Sequence, residues 1–122
     1  MLLDTHLLLW ALSQPSKLPA RARKLIDAGE VYVSAASIWE ISIKSALGKL
    51  AASSSEVLAG IEPAGFSVLP VCGEHAAHVA TLPAIHKDPF DRMLVAQASS
   101  EPMLLLTNDE TLRGYGSCVS VC

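Results

Sequence analysis

Apolar residues along this chain fall into two rhythms, and their alternation sketches the fold. From Thr5 to Ser13 the leucines fall on one side at helical spacing, and Pro15 ends the run. A second helix is predicted from Leu18-Pro19. Proline suits a first turn, Ala20 to Ala28 are good helix formers, and Gly29 closes the segment. Val31-Tyr32-Val33, β-branched and aromatic, predicts a strand. The helix after it starts at Ser34, a capping residue type, or at Ser37, which opens a capping-box pattern with Glu40. Ile38, Ile41 and Leu47 mark its expected buried face and Gly48 its end. Further along, helix is expected over Ser53–Ala59, strand over Phe66–Leu69, and helix from Glu74 to Leu82, closed by Pro83. Pro89 then opens a strong helix from Phe90 to Ser99. Met103–Leu106 has the pattern of a fully buried strand, and Thr107-Asn108-Asp109 turns into a short helix ending near Gly114. Val119 to Val121 would be a last strand. The opening Met1-Leu2-Leu3 is an apolar run too short to type by periodicity, and Asp4 ends it.

Strand and helix alternating in this way point to an α/β domain with a mostly parallel sheet. The predicted strands lack polar alternation, as expected when helices cover both faces, and right-handed crossovers would follow. At 122 residues, one domain spanning 1–122 is expected, with no repeat and no linker. The short stretch Ala51 to Ser55 looks like a loop leading into a helix.

Composition narrows the function. The chain is 51% apolar and 17% charged, enough for a sizeable core; either most of the apolar share is core, or part of it waits for a partner. No apolar run approaches the ~20 residues of a spanning helix, and no basic region precedes the opening leucines, so a cytoplasmic protein without a leader is expected. Cys72, Cys118 and Cys122 are odd in number and form no CxxC pair, which fits free thiols in a reducing compartment. A net charge of −3 argues against a broad basic face for nucleic acid. It does not exclude a nuclease, because bound divalent cations invert the local sign where acids cluster.

In open α/β sheets, ligands bind beyond the carboxyl ends of the strands. Asp4 ends the first strand, and Asp109 lies just past the strand ending at Leu106. Glu40 and Asp91 stand early on helices. Four such acids converging on one rim cannot all stay ionised without compensation. A hard divalent cation, Mg²⁺ or Mn²⁺, would suit them and would assist phosphodiester hydrolysis. Each acid also has an ordinary role open to it. Asp4 and Asp109 suit helix caps, and Asp91 beside Arg92 suits a surface ion pair. Glu40, flanked by Ile38, Trp39 and Ile41, fits a solvated face least well.

Competing motifs are absent or weak. There is no glycine-rich phosphate loop, no GxSxG elbow and no HExxH. His6, His75, His78 and His86 are scattered, and His75 and His78 suit structural or surface roles. Trp39 among isoleucines suits the core better than base stacking. Arg21, Arg23 and Lys24 suit a solvated helix face better than an RNA contact.

Four segments, in order along the chain, resemble the PIN-domain family, and within it the VapC-type toxins of toxin–antitoxin systems. They are Leu3-Asp4-Thr5-His6, Val33 to Ile41, His86 to Ala98 with its Asp88-Pro89-Phe90-Asp91-Arg92 core, and Leu105-Leu106-Thr107-Asn108-Asp109 followed by Gly114-Tyr115-Gly116. The resemblance implies a three-layer α/β/α sandwich around a parallel sheet. It implies that Asp4, Glu40, Asp91 and Asp109 bind one or two Mg²⁺ or Mn²⁺ and direct a water at an RNA phosphodiester. Asp91 matches the family's third acid better than Asp88, because it stands directly before the helical run Met93–Ala98. Thr5, Ser37, Asp88, Thr107 and Asn108 would support the acids or bind water. The implied partners are a small antitoxin, whose cationic side chain would enter the acid pocket in place of metal, and a second copy of the chain. The segment Cys118–Cys122 is less apolar than the family's usual last strand. Two other functions remain in view. One is a PIN-like module that binds RNA or antitoxin without cutting, which retention of all four acids disfavours. The other is a small phosphatase, for which Asp4-Thr5-His6 lacks the second aspartate of aspartyl-phosphate enzymes.

Overall fold

The computed structural model describes residues 1–122. Five short strands, β1 (Leu2–Leu3), β2 (Tyr32–Ser34), β3 (Ser67–Leu69), β4 (Leu105–Thr107) and β5 (Val119–Val121), form one sheet in the order β3-β2-β1-β4-β5. All four pairings are parallel. Six α-helices connect and cover them: α1 (Thr5–Ser13), α2 (Ala20–Ala28), α3 (Ala35–Ala46), α4 (Ser54–Ile61), α5 (Gly73–His78) and α6 (Pro89–Ser100).

Register explains the unbroken apolar strands. Leu2 is level with Tyr32 and Leu105, and Leu3 with Val33 and Leu106. Successive residues point to opposite faces. Leu2 and Leu105 pack with Leu94, Val95 and Ala98 of α6. Leu3 and Leu106 pack with Leu7 of α1 and Ala22 of α2, while Val33 joins Leu8 of α1, Ile41 of α3, and Val57 and Ile61 of α4. Helices on both faces leave no side of the central strands for water, giving the expected three layers.

The chain builds β1, β2 and β3 in one direction, then crosses β1 to lay down β4 and β5 on its other side. The reversal falls between β1 and β4, where the connections diverge and leave a crevice at the strands' carboxyl ends. Asp4 and Thr107 stand at that crevice.

Several local expectations change. Ser34, not Ser37, caps α3, its hydroxyl accepting the Ala36 N–H at 3.0 Å. The segment Glu74–Leu82 is helical only to His78 and then tightens into a 3₁₀ turn over Val79–Thr81. The amide four residues after Val79 belongs to Pro83, which has no N–H. The Val79 carbonyl instead accepts the Leu82 N–H at 3.2 Å, which closes the 3₁₀ turn, and the Arg92 guanidinium at 3.1 Å. Met103–Leu106 is not buried throughout. The strand is Leu105–Thr107, and Leu104 is exposed ahead of it. On α3, Ile41 is buried, but Leu47 and Trp39 are 64% and 62% exposed, so neither belongs to the core. The last strand forms despite its modest hydropathy, paired with β4, and Arg21 on α2 donates to its Val121 carbonyl at 2.7 Å and its Ser120 hydroxyl at 2.9 Å. That contact gives Arg21 a structural role. The three cysteines are free. His75 is buried, with Nδ1 accepting the Cys72 N–H at 3.1 Å and Nε2 against Glu101, a structural role as expected. No helix is long and apolar enough to cross a membrane.

Candidate active site

Asp4 follows β1 directly and caps α1, with Oδ1 accepting the Leu7 N–H at 3.1 Å. Its other oxygen accepts the Thr107 hydroxyl at 2.6 Å. Thr107 in turn accepts the Asp109 N–H at 3.0 Å, so the ends of β1 and β4 are tied together at the acids. Asp4 is 4% exposed and Thr107 fully buried. The capping role open to Asp4 in the sequence is therefore real, and it serves to fix the carboxylate.

Glu40 sits on the second turn of α3, 5% exposed. Its Oε1 accepts the Thr5 hydroxyl at 2.8 Å, and Thr5 Oγ1 is 2.9 Å from Ser37 Oγ. Its Oε2 accepts from the Lys44 ammonium one helical turn on, at 2.5 Å. Lys44 is held above its ordinary basicity, first by that hydrogen bond and further by the charges of Glu40, Asp88 and Asp91.

Asp88 and Asp91 divide the work at the start of α6. Asp88 is the cap, with Oδ1 accepting the Phe90 N–H at 2.8 Å. Asp91, one turn in, faces the other acids and makes no close hydrogen bond. Its carboxyl is pushed up to about 7, first by burial and then by the charges of Asp88, Asp4 and Glu40, against the opposing pull of His86. Arg92 does not pair with it; the guanidinium turns to the carbonyls of Pro83 and Val79 and to the Tyr115 hydroxyl.

Asp109 caps the 3₁₀ turn Glu110–Tyr115, with Oδ1 accepting both the N–H and the hydroxyl of Thr111. Those bonds, the hydroxyl foremost, hold it below the usual carboxylate range. Its Oδ2 is free to face the crevice. Asn108 is exposed and makes no side-chain hydrogen bond, so it stands apart from the other candidate supporting residues.

The residue missed in the sequence is His86. Its Nε2 lies 3.5 Å from Asp91 Oδ2 and 3.5 Å from Asp109 Oδ2. Its backbone N–H donates to the Tyr115 hydroxyl at 2.9 Å, and its Nδ1 accepts the Asp88 N–H at 3.1 Å. An imidazole accepting at Nδ1 carries its proton on Nε2, so the ring points an N–H between the two carboxylates. The signal was a histidine two residues before a helix cap, where its ring folds back onto the cap's N–H.

The donor atoms of His86, Asp91 and Asp109 all lie within 4.8 Å of one another, and Asp4 and Glu40 face the same crevice electrostatically. Hard carboxylate oxygens suit Mg²⁺ or Mn²⁺, and His86, with its proton on Nε2, borders them without ligating. A carboxyl driven toward neutrality by burial, and further by its acidic neighbours, marks a site that a cation would suit. The residues present fit a divalent cation.

The PIN domain family model matches residues 1–116, and the chain belongs to that family, whose members are nucleases. No curated relative matches the sequence. Among solved structures, VapBC2 of Rickettsia felis bound to a DNA fragment from its promoter superposes with a TM-score of 0.69 at 12% identity, over 99% of this chain and 96% of that one. A toxin–antitoxin complex from Klebsiella pneumoniae gives 0.67 at 15% identity, over 98% and 95%. DNA-bound VapBC from Salmonella typhimurium gives 0.67 at 21% identity, over 98% and 96%. At these identities the likeness is one of fold.

Proposed function

We propose that this chain is a VapC-type endoribonuclease toxin, hydrolysing RNA phosphodiester bonds with Mg²⁺ or Mn²⁺ held by Asp4, Asp91 and Asp109, with Glu40 beside them. One observation carries the reading. The acids converge where the sheet reverses, and Asp91 is driven toward neutrality there, a state that a bound cation relieves. When bound, the metal supplies a Lewis acid and lowers the pKa of a water. The chain's own residues supply the rest. Thr107 and the Leu7 N–H hold Asp4 in one orientation. Thr5 and Lys44 hold the buried Glu40 in place beside the metal position, where it orients the attacking water. His86 sets its Nε2 3.5 Å from both Asp91 and Asp109, bordering the two carboxylates. Thr5, Ser37, Asp88 and Thr107 support these acids through the contacts described.

The structural neighbours are toxin–antitoxin complexes, which supports an antitoxin as partner. An exposed apolar face supports it further. Trp39 and Phe90 meet edge to face at 5.3 Å beside a cavity of about 550 Å³, lined by Ala35, Val71 and Met93 among others. A homodimer acting in the cytoplasm completes the proposal. The test is RNA cleavage by the purified chain with Mg²⁺ against chelator, with the adjacent gene's product added as inhibitor. Cleavage that survives the chelator contradicts the metal mechanism, and indifference to that product contradicts the pairing.

A further inference from the structure

Glu40 differs from the other acids of the crevice in having a fixed cation of its own. Thr5 donates to Oε1 and Lys44 to Oε2, so this carboxylate already has a positive charge set against it. Lys44 stands four residues after Glu40 on the same helix, where the rigid backbone puts the two side chains side by side. Its charge is felt by Asp88 and Asp91 as well, which places the ammonium on the rim of the acid cluster. No other lysine or arginine is ion-paired to these acids. Arg92 turns away to backbone carbonyls, and Arg113 pairs with Glu110 on the surface. The open carboxylate oxygens lie on the opposite side, at Asp91 and Asp109 around His86.

We infer that the Lys44 ammonium holds the place a second divalent cation would take beside Glu40, so that the site binds one metal ion, on the Asp91–Asp109 side. The inference rests on the metal-nuclease proposal and fixes its stoichiometry. In two-metal phosphodiesterases the paired ions stabilise the attacking and leaving oxygens. A pre-positioned ammonium stabilises developing charge in the same manner without having to be recruited.

The test is Mn²⁺ stoichiometry on the full chain stripped of metal, counted by electron paramagnetic resonance of free Mn²⁺, for wild type, Lys44→Arg and Lys44→Met. The lysine side chain is 37% exposed, so these changes spare the core, and circular dichroism verifies folding. If Lys44→Met does not fold, Lys44→Gln replaces it. The expected result is one Mn²⁺ per chain for wild type and Lys44→Arg, and two for the neutral variant. Two ions in wild type, or one ion in the neutral variant, overturns the inference and leaves the nuclease proposal standing. No Mn²⁺ bound by wild type overturns both.

Discussion

Replacing Asp91 by asparagine keeps the shape of the side chain and removes one charge from the crowded rim. In metal-free protein this substitution stabilises the fold above neutral pH. The folded-state carboxyl titrates near 7, above its ordinary 3.8. Between those values the folded protein holds a proton that the unfolded chain has released. Stability from this group is therefore complete below about pH 4 and lost as pH rises through 7. At about 1.4 kcal/mol per pH unit the displacement is worth at most about 4 kcal/mol. The side chain is 20% exposed at an open crevice, and water screens the repulsion, so about 2 kcal/mol is expected. Asparagine escapes that loss. In chelator at pH 8, Asp91→Asn melts about 6–10 °C above wild type, and near pH 4 the two converge. Excess Mn²⁺ reverses the order, because a ligand at about 100 times its Kd stabilises wild type by about 2.7 kcal/mol. Thermal unfolding followed by circular dichroism over pH 4–8, with and without Mn²⁺, reads all of this. An asparagine variant no more stable than wild type at pH 8 in chelator, or a gap that does not change with pH, refutes the reasoning.

Two further outcomes follow from contacts away from the metal-facing oxygens. Thr107→Val removes the hydroxyl that joins Asp4 to the Asp109 N–H in a fully buried position. Unfolding by urea shows it to be less stable by about 1–3 kcal/mol. Arg21→Ala releases Ser120 and the Val121 carbonyl. It costs about 1 kcal/mol, seen as faster amide hydrogen exchange confined to β5 and its neighbour.

The sequence carried the architecture well where one cause dominated. Ala20–Ala28 begins at a proline and ends at a glycine, and the observed helix has those bounds. The first strand was too short for periodicity and is defined only by its neighbours, since its two residues pair with β2 and β4. Errors came where tertiary contacts compete. Trp39 and Leu47 read as core because α3 is apolar around much of its circumference, yet only one stripe meets the sheet. The segment after His78 reads as helix because Pro83 is the visible stop, but the stop acts four residues earlier, where the Val79 carbonyl has no donor at Pro83 and takes the Leu82 N–H in a 3₁₀ turn. At the site, the capping roles weighed for Asp4 and Asp109 were true as far as they went, and Asp88, for which none was weighed, is a cap as well. Capping orients a carboxylate, so it does not compete with function here. His86 was hidden because its role depends on a fold-back onto Asp88 and on Tyr115, 29 residues away.

The central claim is that these acids act through a metal on RNA. Single-turnover cleavage of RNA by wild type, Asp4→Asn and Asp91→Asn, in Mg²⁺ and in chelator, tests it most directly. The account predicts cleavage by wild type in Mg²⁺ alone, with both variants folded and inactive. Cleavage of equal rate in chelator, or by either variant, would contradict it.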